Sequence, residues 1–242
     1  MPRVFGKEEF KMIPEFDFHV HTHYSDGLSE PVEMVEAATA RGLRGIAITD
    51  HGPELSVGIS PTKIEQMMND VEIVNGDADI PVLLGIEANI IGLNGEIDID
   101  EEILNRLDVV VGGLHNLASS AQIPKALAKD YLNTVMNTMK LQKIDILAHP
   151  FWFHEDLSKY LSQEDMEDFA KLAVRTGIAI ELNTKYHSPS REVLTTCLRE
   201  GVKLSLGTDA HTPSEVGDLT WQMSMIKKIG AKKEDLVLEE FL

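Results

Sequence analysis

Cysteine is almost missing from this chain. Cys197 is the only one in 242 residues, so no internal disulfide is possible and a thiolate-rich zinc site is excluded. Any metal would have to be held by His, Asp and Glu. Long apolar runs are missing too: no stretch approaches the roughly 18 uninterrupted apolar residues of a membrane span. The opening segment "MPRVFGKEEFKMIPEF" has no apolar core of signal-peptide length, so a cytoplasmic protein with no membrane partner is expected. Positive charge is scarce, with 22 Lys and Arg against 40 Asp and Glu and a formal net charge of −18. Such a field repels a nucleic-acid backbone, so nucleic acid is not an expected partner, whereas bound divalent cations would offset part of it. No glycine-rich phosphate loop follows the first apolar run, so nucleotide binding of the P-loop or Rossmann kind has no support in the sequence. Low-complexity tracts, charge blocks and Gly/Ser/Pro linkers are also missing, and a single domain is expected from about residue 16 to 242, behind an N-terminal extension over 1–15.

What is present is an alternation. Short apolar runs, "EFDFHVH", "GIAITDH", "PVLLGIE", "DVVVGGLH", "DILAHP", "IAIELN" and "VKLSLGTDAH", are apolar on both faces, as buried parallel strands are. Between them lie helix patterns. Ser29 is the expected N-cap of a helix with Pro31 in its first turn and an apolar stripe of Val32, Val35, Ala38 and Ala40, stopped by Gly42. Ser60 and Pro61 open a second helix, and further helices are expected within 125–143, 162–176, 189–200 and 218–229, the last two ending near Gly201 and Gly230. Met67, Met68, Met223 and Met225 fall in these patterns and read as core filling.

Repeated strand–helix units give a doubly wound sheet or a closed barrel, and the strand ends choose between them. Each run terminates in a polar side chain able to bind metal: His19 and His21, His51, Glu87, His115, His149, Glu181 and Asn183, then Asp209 and His211. A histidine at one strand end is commonly only a hydrogen-bonding residue. Six of the nine histidines in one register on separate strands point to convergence, because parallel barrels gather their C-terminal strand ends at one mouth. Asp50, beside His51, reads as an acceptor behind a ligand or as a helix-entry residue.

The ordered segments "HVHTHYSDG", "ITDHG", "GIEAN", "GGLHN", "LAHP" and "GTDAH" resemble the successive motifs of the PHP (polymerase and histidinol phosphatase) superfamily, over about residues 16–212. The resemblance implies an α/β fold, a distorted (β/α)7 TIM-like barrel, with two to three divalent ions at its mouth: zinc first, with manganese or iron as alternatives. It implies that His19, His21, Glu87 and Asp209 hold one ion, that Glu87 bridges to a second held by His115 and His149, and that Asp26, His51 and His211 hold a third. Some small phosphatases of the family carry histidine at the Asp26 position, so His23 is an alternative ligand, and Asp26 also suits a tight turn.

The expected activity is that of a phosphatase acting on small phosphomonoesters, in which a hydroxide bridging two metals attacks phosphorus. Glu87, Asp209 and His211 are its expected catalytic residues, and His23, Lys185, His187 and Arg191 are candidate contacts to substrate or phosphate. Three rivals remain at this stage: a nuclease or phosphodiesterase of the same superfamily, an amidohydrolase, and an inactive metal-bound scaffold. An amidohydrolase also opens with HxH, but it usually bridges its metals through a carboxylated lysine, where this chain has His115 and Glu87.

Overall fold

The computed structural model describes residues 16–141 and 143–237; the expected extension over 1–15 lies outside them. Seven strands run parallel: β1 (Phe16–Asp17), β2 (Gly45–Ile48), β3 (Val82–Ile91), β5 (Val109–Gly113), β6 (Ile146–Leu147), β7 (Ala179–Asn183) and β8 (Leu204–Gly207). Each lies beside its neighbours in chain order, and only β4 (Glu96–Ile97) leaves the path, pairing antiparallel with the far end of β3. The hairpin through β4 is absent from the strand pattern of the sequence, since its two residues are too short to show a period.

The seam between the first and last strands is joined by Phe18 N to Leu206 O, His21 N to Ala210 O and Asp209 N to His19 O, each 2.9 Å. Val20 and Ala210 form a parallel bridge there, so the sheet closes on itself as a barrel. The strands β2, β5, β7 and β8 are buried at every residue, because one face fills the barrel and the other meets helices.

The helices α1 (Pro31–Ala40), α2 (Ile64–Asp77), α3 (Glu101–Leu104), α4 (Pro124–Leu141), α5 (Gln163–Thr176), α6 (Arg191–Glu200) and α7 (Thr220–Ile229) pack outside. Two expectations for α1 are corrected. Its N-cap is Glu30, not Ser29, because a residue before proline is kept out of the helical region; Glu30 sits at φ −69°, ψ 154°. Its buried stripe is Pro31, Met34, Val35 and Ala38, the i, i+3, i+4, i+7 set, and Val32 faces solvent at 45% exposure. Ser60 precedes a 3-10 turn (Pro61–Lys63) leading into α2 and makes no side-chain cap. Met67 and Met68 are buried and Met223 and Met225 are half-buried. The helix α6 ends at Gly201, whose φ of +89° a side chain rarely adopts. Among the described residues no helix is long and apolar enough to cross a membrane.

Asp17 locks the seam. Its fully buried carboxylate accepts from Thr208 N (2.9 Å), Thr208 Oγ1 (2.6 Å) and Gly217 N (2.9 Å), tying β1 to the segment after β8. Burial pushes its pKa up against these donors, which pull it down. Asp17→Ala would leave three donors without a partner and is expected to cost about 3 kcal/mol. For a domain of this size that lowers the melting midpoint by roughly 6–12 °C, read by calorimetry or circular dichroism.

Candidate metal centre

Glu87 is the hub. It lies on β3 with β2 on one side and β5 on the other, so the histidines that end those strands arrive from both flanks. Its Oε2 faces His51 Nδ1 at 2.6 Å, His19 Nε2 at 3.2 Å and His21 Nε2 at 3.6 Å. Its Oε1 faces His149 Nε2 at 3.0 Å and His115 Nε2 at 3.3 Å. Gly113 makes this approach possible, since a Cβ there would lie 2.3 Å from Glu87 Oε1 and 2.6 Å from His115 Cε1.

Two further carboxylates flank the other side. Asp209 Oδ1 lies 3.3 Å from His21 Nε2 and 3.0 Å from Lys185 Nζ. Asp26 Oδ1 lies 3.1 Å from His211 Nε2, 3.7 Å from His51 Nε2 and 4.0 Å from His21 Nδ1. His211 Nδ1 meets its own chain at Asp209 O (2.8 Å), which leaves Nε2 turned toward Asp26.

Three groups of donor atoms lie within 4.8 Å of one another: His21, Asp26, His51 and His211; His19, His21 and Asp209; and His51, Glu87 and His115. They cut across the partition that the resemblance implies. His21 and His51 each belong to two groups, and His149 touches Glu87 from outside all three. Among the described residues, His19 Nε2, both nitrogens of His21, Asp26 Oδ1, His51 Nδ1, Glu87 Oε2 and His149 Nδ1 are buried without a hydrogen-bond partner. An unsatisfied buried polar atom costs about 1–3 kcal/mol. The orphans of His19, His21, Asp26, His51 and Glu87 crowd around one space, as the donors of a cation site do, and their N and O chemistry suits borderline divalent metals.

Protons balance the charge when no cation is bound. Burial alone would lower the His19 pKa, but Glu181, Glu87 and Asp209 outweigh it and hold the ring well above the ordinary histidine value. His21 is pushed down to about 3 by burial and by the charge of His51. Burial would raise Glu87, yet His115, His51 and His19 hold it well below the carboxylate range. Asp209 is also held well below that range, by His19, His21 and Lys185 against burial. Asp26 is held at about 2, by His211, His51 and His21 against burial.

The PHP domain family profile matches residues 17–185, most of the chain. This chain belongs to the PHP domain family. Over 173 residues it is 34% identical to a probable phosphatase of Caldicellulosiruptor bescii, covering 71% of this chain and 66% of that protein. Over 184 residues it is 30% identical to the DNA polymerase/3'-5' exonuclease PolX of Bacillus subtilis, covering 74% of this chain and 30% of the polymerase. The chain thus spans less than two thirds of the length of these relatives. A histidinol phosphate phosphatase of Lactococcus lactis, solved with zinc, L-histidinol and phosphate, shares the fold with a TM-score of 0.62. That likeness covers 90% of this chain and 94% of the solved one at 17% identity.

In this PHP domain several residues stand behind the candidate ligands, and two of them, Asn89 and Asp98, carry no metal-ligand signal in the sequence. Asn89, two residues beyond Glu87 and so on the same face of β3, accepts from His115 Nδ1 at 2.9 Å. Asp98 accepts in turn from Asn89 N (2.7 Å) and Asn89 Nδ2 (2.6 Å), which leaves His115 Nε2 turned toward Glu87. The Asp50 carboxylate accepts from Thr22 N, Thr22 Oγ1, Ser25 N and Ser25 Oγ, and so braces the turn that carries Asp26, while its backbone carbonyl accepts from Glu87 N at 3.0 Å. Glu181 lies behind His19, with Oε1 2.7 Å from His19 Nδ1. For Asn89 the available signal is period 2 from Glu87, whereas Glu181 already stands among the strand-end side chains able to bind metal.

The candidate substrate contacts separate. Lys185 joins the centre through Asp209, and its Nζ lies 3.4 Å from His211 Nε2. His23 turns away, its Nδ1 3.1 Å from Glu30 and its ring against Tyr24. His187 is exposed and stacks on Trp221 at 5.1 Å, while Arg191 is an exposed first residue of α6. Trp152 and Tyr186 stack at 5.3 Å, with Tyr186 edge-on to His149, and form an aromatic wall beside the centre.

Two outcomes are expected. Adding zinc to metal-free protein at neutral pH in weak buffer releases protons, because His19, held protonated by its carboxylates, must lose its proton to bind; a pH electrode reads the drop. Gly113→Ala, which drives a methyl into Glu87 and His115, lowers the metal content of folded protein measured by elemental analysis.

Proposed function

We propose that this chain is a metal-dependent phosphoesterase that hydrolyses small phosphate monoesters. The observation that carries the reading is the set of unpartnered buried donor atoms around Glu87, in a chain that is 34% identical over 173 residues to a probable phosphatase. His19, His21, Glu87 and Asp209 would hold one divalent ion, Glu87, His115 and His149 a second, and Asp26, His51 and His211 a third. Zinc is the favoured metal, since the donor set is rich in imidazole, with manganese or iron as alternatives. Bound ions would place positive charge on the phosphate oxygens and acidify water at neutral pH.

The chain's own groups supply the rest. Lys185, half in solvent and directed at Asp209, is the ammonium that receives a phosphate oxygen. Trp152 and Tyr186, stacked at 5.3 Å with Tyr186 edge-on to His149, would offer an apolar wall to the leaving group. Asp209 and His211, adjacent to Lys185, are assigned to proton transfer toward the leaving oxygen. The charge of −18 favours a small substrate over a polynucleotide.

Purified protein loaded with zinc or manganese should hydrolyse p-nitrophenyl phosphate faster than bis-p-nitrophenyl phosphate, lose activity on chelation and regain it with metal. Lys185→Ala should raise KM for the monoester roughly tenfold, the loss of a charge-assisted hydrogen bond of about 1.5 kcal/mol. A faster rate on the diester would move the reading to a phosphodiesterase, and no turnover of any phosphate ester by metal-replete protein would overturn it.

A further inference from the structure

Glu181 is buried, sits on β7 facing the barrel interior, and belongs to none of the compact donor groups. Its two oxygens are both engaged. Oε1 lies 2.7 Å from His19 Nδ1, and Oε2 accepts from the backbone N of His149 at 2.6 Å, with Asn183 Nδ2 at 3.2 Å. His19 therefore lies between two carboxylates, Glu181 at Nδ1 and Glu87 at Nε2, the latter 3.2 Å away.

A neutral imidazole has one donor nitrogen and one acceptor. With the Nδ1 proton donated to Glu181, the lone pair of His19 is at Nε2, the atom that is buried without a hydrogen-bond partner and faces Glu87. His149 has a different need. Its φ of 29° is one that L residues rarely adopt, and the bond from its N–H to Glu181 holds the main chain there, with Nε2 3.0 Å from Glu87 Oε1. The space for this carboxylate comes from Gly207, where a Cβ would lie 1.9 Å from Glu181 Oε1.

We propose that Glu181 is a positioning residue that couples two ion sites, fixing the ligating nitrogen of His19 in one and the backbone of His149 in the other. The proposal rests on the metal-dependent reading above. Glu87 joins the two sites from the inside, through the atoms that would meet metal, and Glu181 joins them from behind.

The test is Glu181→Gln, which keeps the shape but retains an acceptor for only one of the two partners. Zinc affinity of the full chain is measured by competition with a chromogenic chelator, alongside the melting midpoint of the metal-free protein. Zinc binding roughly 10–100-fold weaker is expected, at both the His19 and the His149 site. Unchanged zinc affinity in folded variant, with only the melting midpoint lowered, would reduce Glu181 to a structural role and sink the proposal. Should the variant not fold, nitrogen NMR of the histidine rings in zinc-loaded wild type decides: a proton on Nδ1 of His19 and zinc on Nε2 support the proposal, and zinc on Nδ1 overturns it. Wild-type protein that takes up no zinc sinks the metal-dependent reading itself, an outcome distinct from wild type and variant binding zinc equally.

Discussion

A carboxylate without any exposure to water has to be compensated, and Glu87 is such a carboxylate at the mouth of a closed barrel. An unpaired buried charge costs several kcal/mol, so the surrounding chain must bring positive or polarisable groups to it. Imidazoles from the segments that follow β1, β2, β5 and β6 do so, with His51 Nδ1 at 2.6 Å and His149 Nε2 at 3.0 Å marking opposite sides. The rest of the mouth follows from this requirement. Gly113 is bare because Glu87 and His115 fill the space beside it, and His149 and Asp209 adopt positive φ, at 29° and 58°, to aim their side chains inward.

A few of the chain's acids are put to use inside it. Asp17 ties β1 to the segment after β8, Asp50 ties β2 to the turn carrying Asp26, and Asp98 ties the β4 hairpin to Asn89. Glu181 ties β7 to β1 and to the segment after β6. Asp17, Asp50 and Glu181 accept main-chain N–H groups beyond the ends of the named strands, where the backbone needs other acceptors. Together they form a second girdle around the donor cluster, outside the one that faces the cation space. Among the described residues, Lys185 is a cation that the structure brings to the mouth, through Asp209. That balance is consistent with a small anionic substrate drawn in by bound metal more than by basic side chains.

The errors of sequence reading are local and have local causes. For α1, counting the stripe from Val32 put the helix one residue out of phase, because Pro31, the residue that fixes the start, is itself buried. Two residues of the first motif are a different case: the strand ends before His23, whose ring pairs with Glu30, and Asp26, expected both as a ligand and as a turn residue, lies in the turn and 3.1 Å from His211.

The sequence by itself determined the seven strands, their parallel order, the residues that end them and the exclusion of thiolate chemistry. It could do so because strand periodicity, helix stops and residue type are properties of short segments, and parallel strands deliver their C-terminal ends to one side whatever the packing. Only the tertiary structure decided which donors share a space, that His51 and His21 each serve two groups, and that Asn89 and Glu181 stand behind ligand histidines. Those relations depend on inter-strand register, barrel closure and rotamer, which join residues as far apart as His19 and Glu181 and leave no mark on either one's neighbours in the chain.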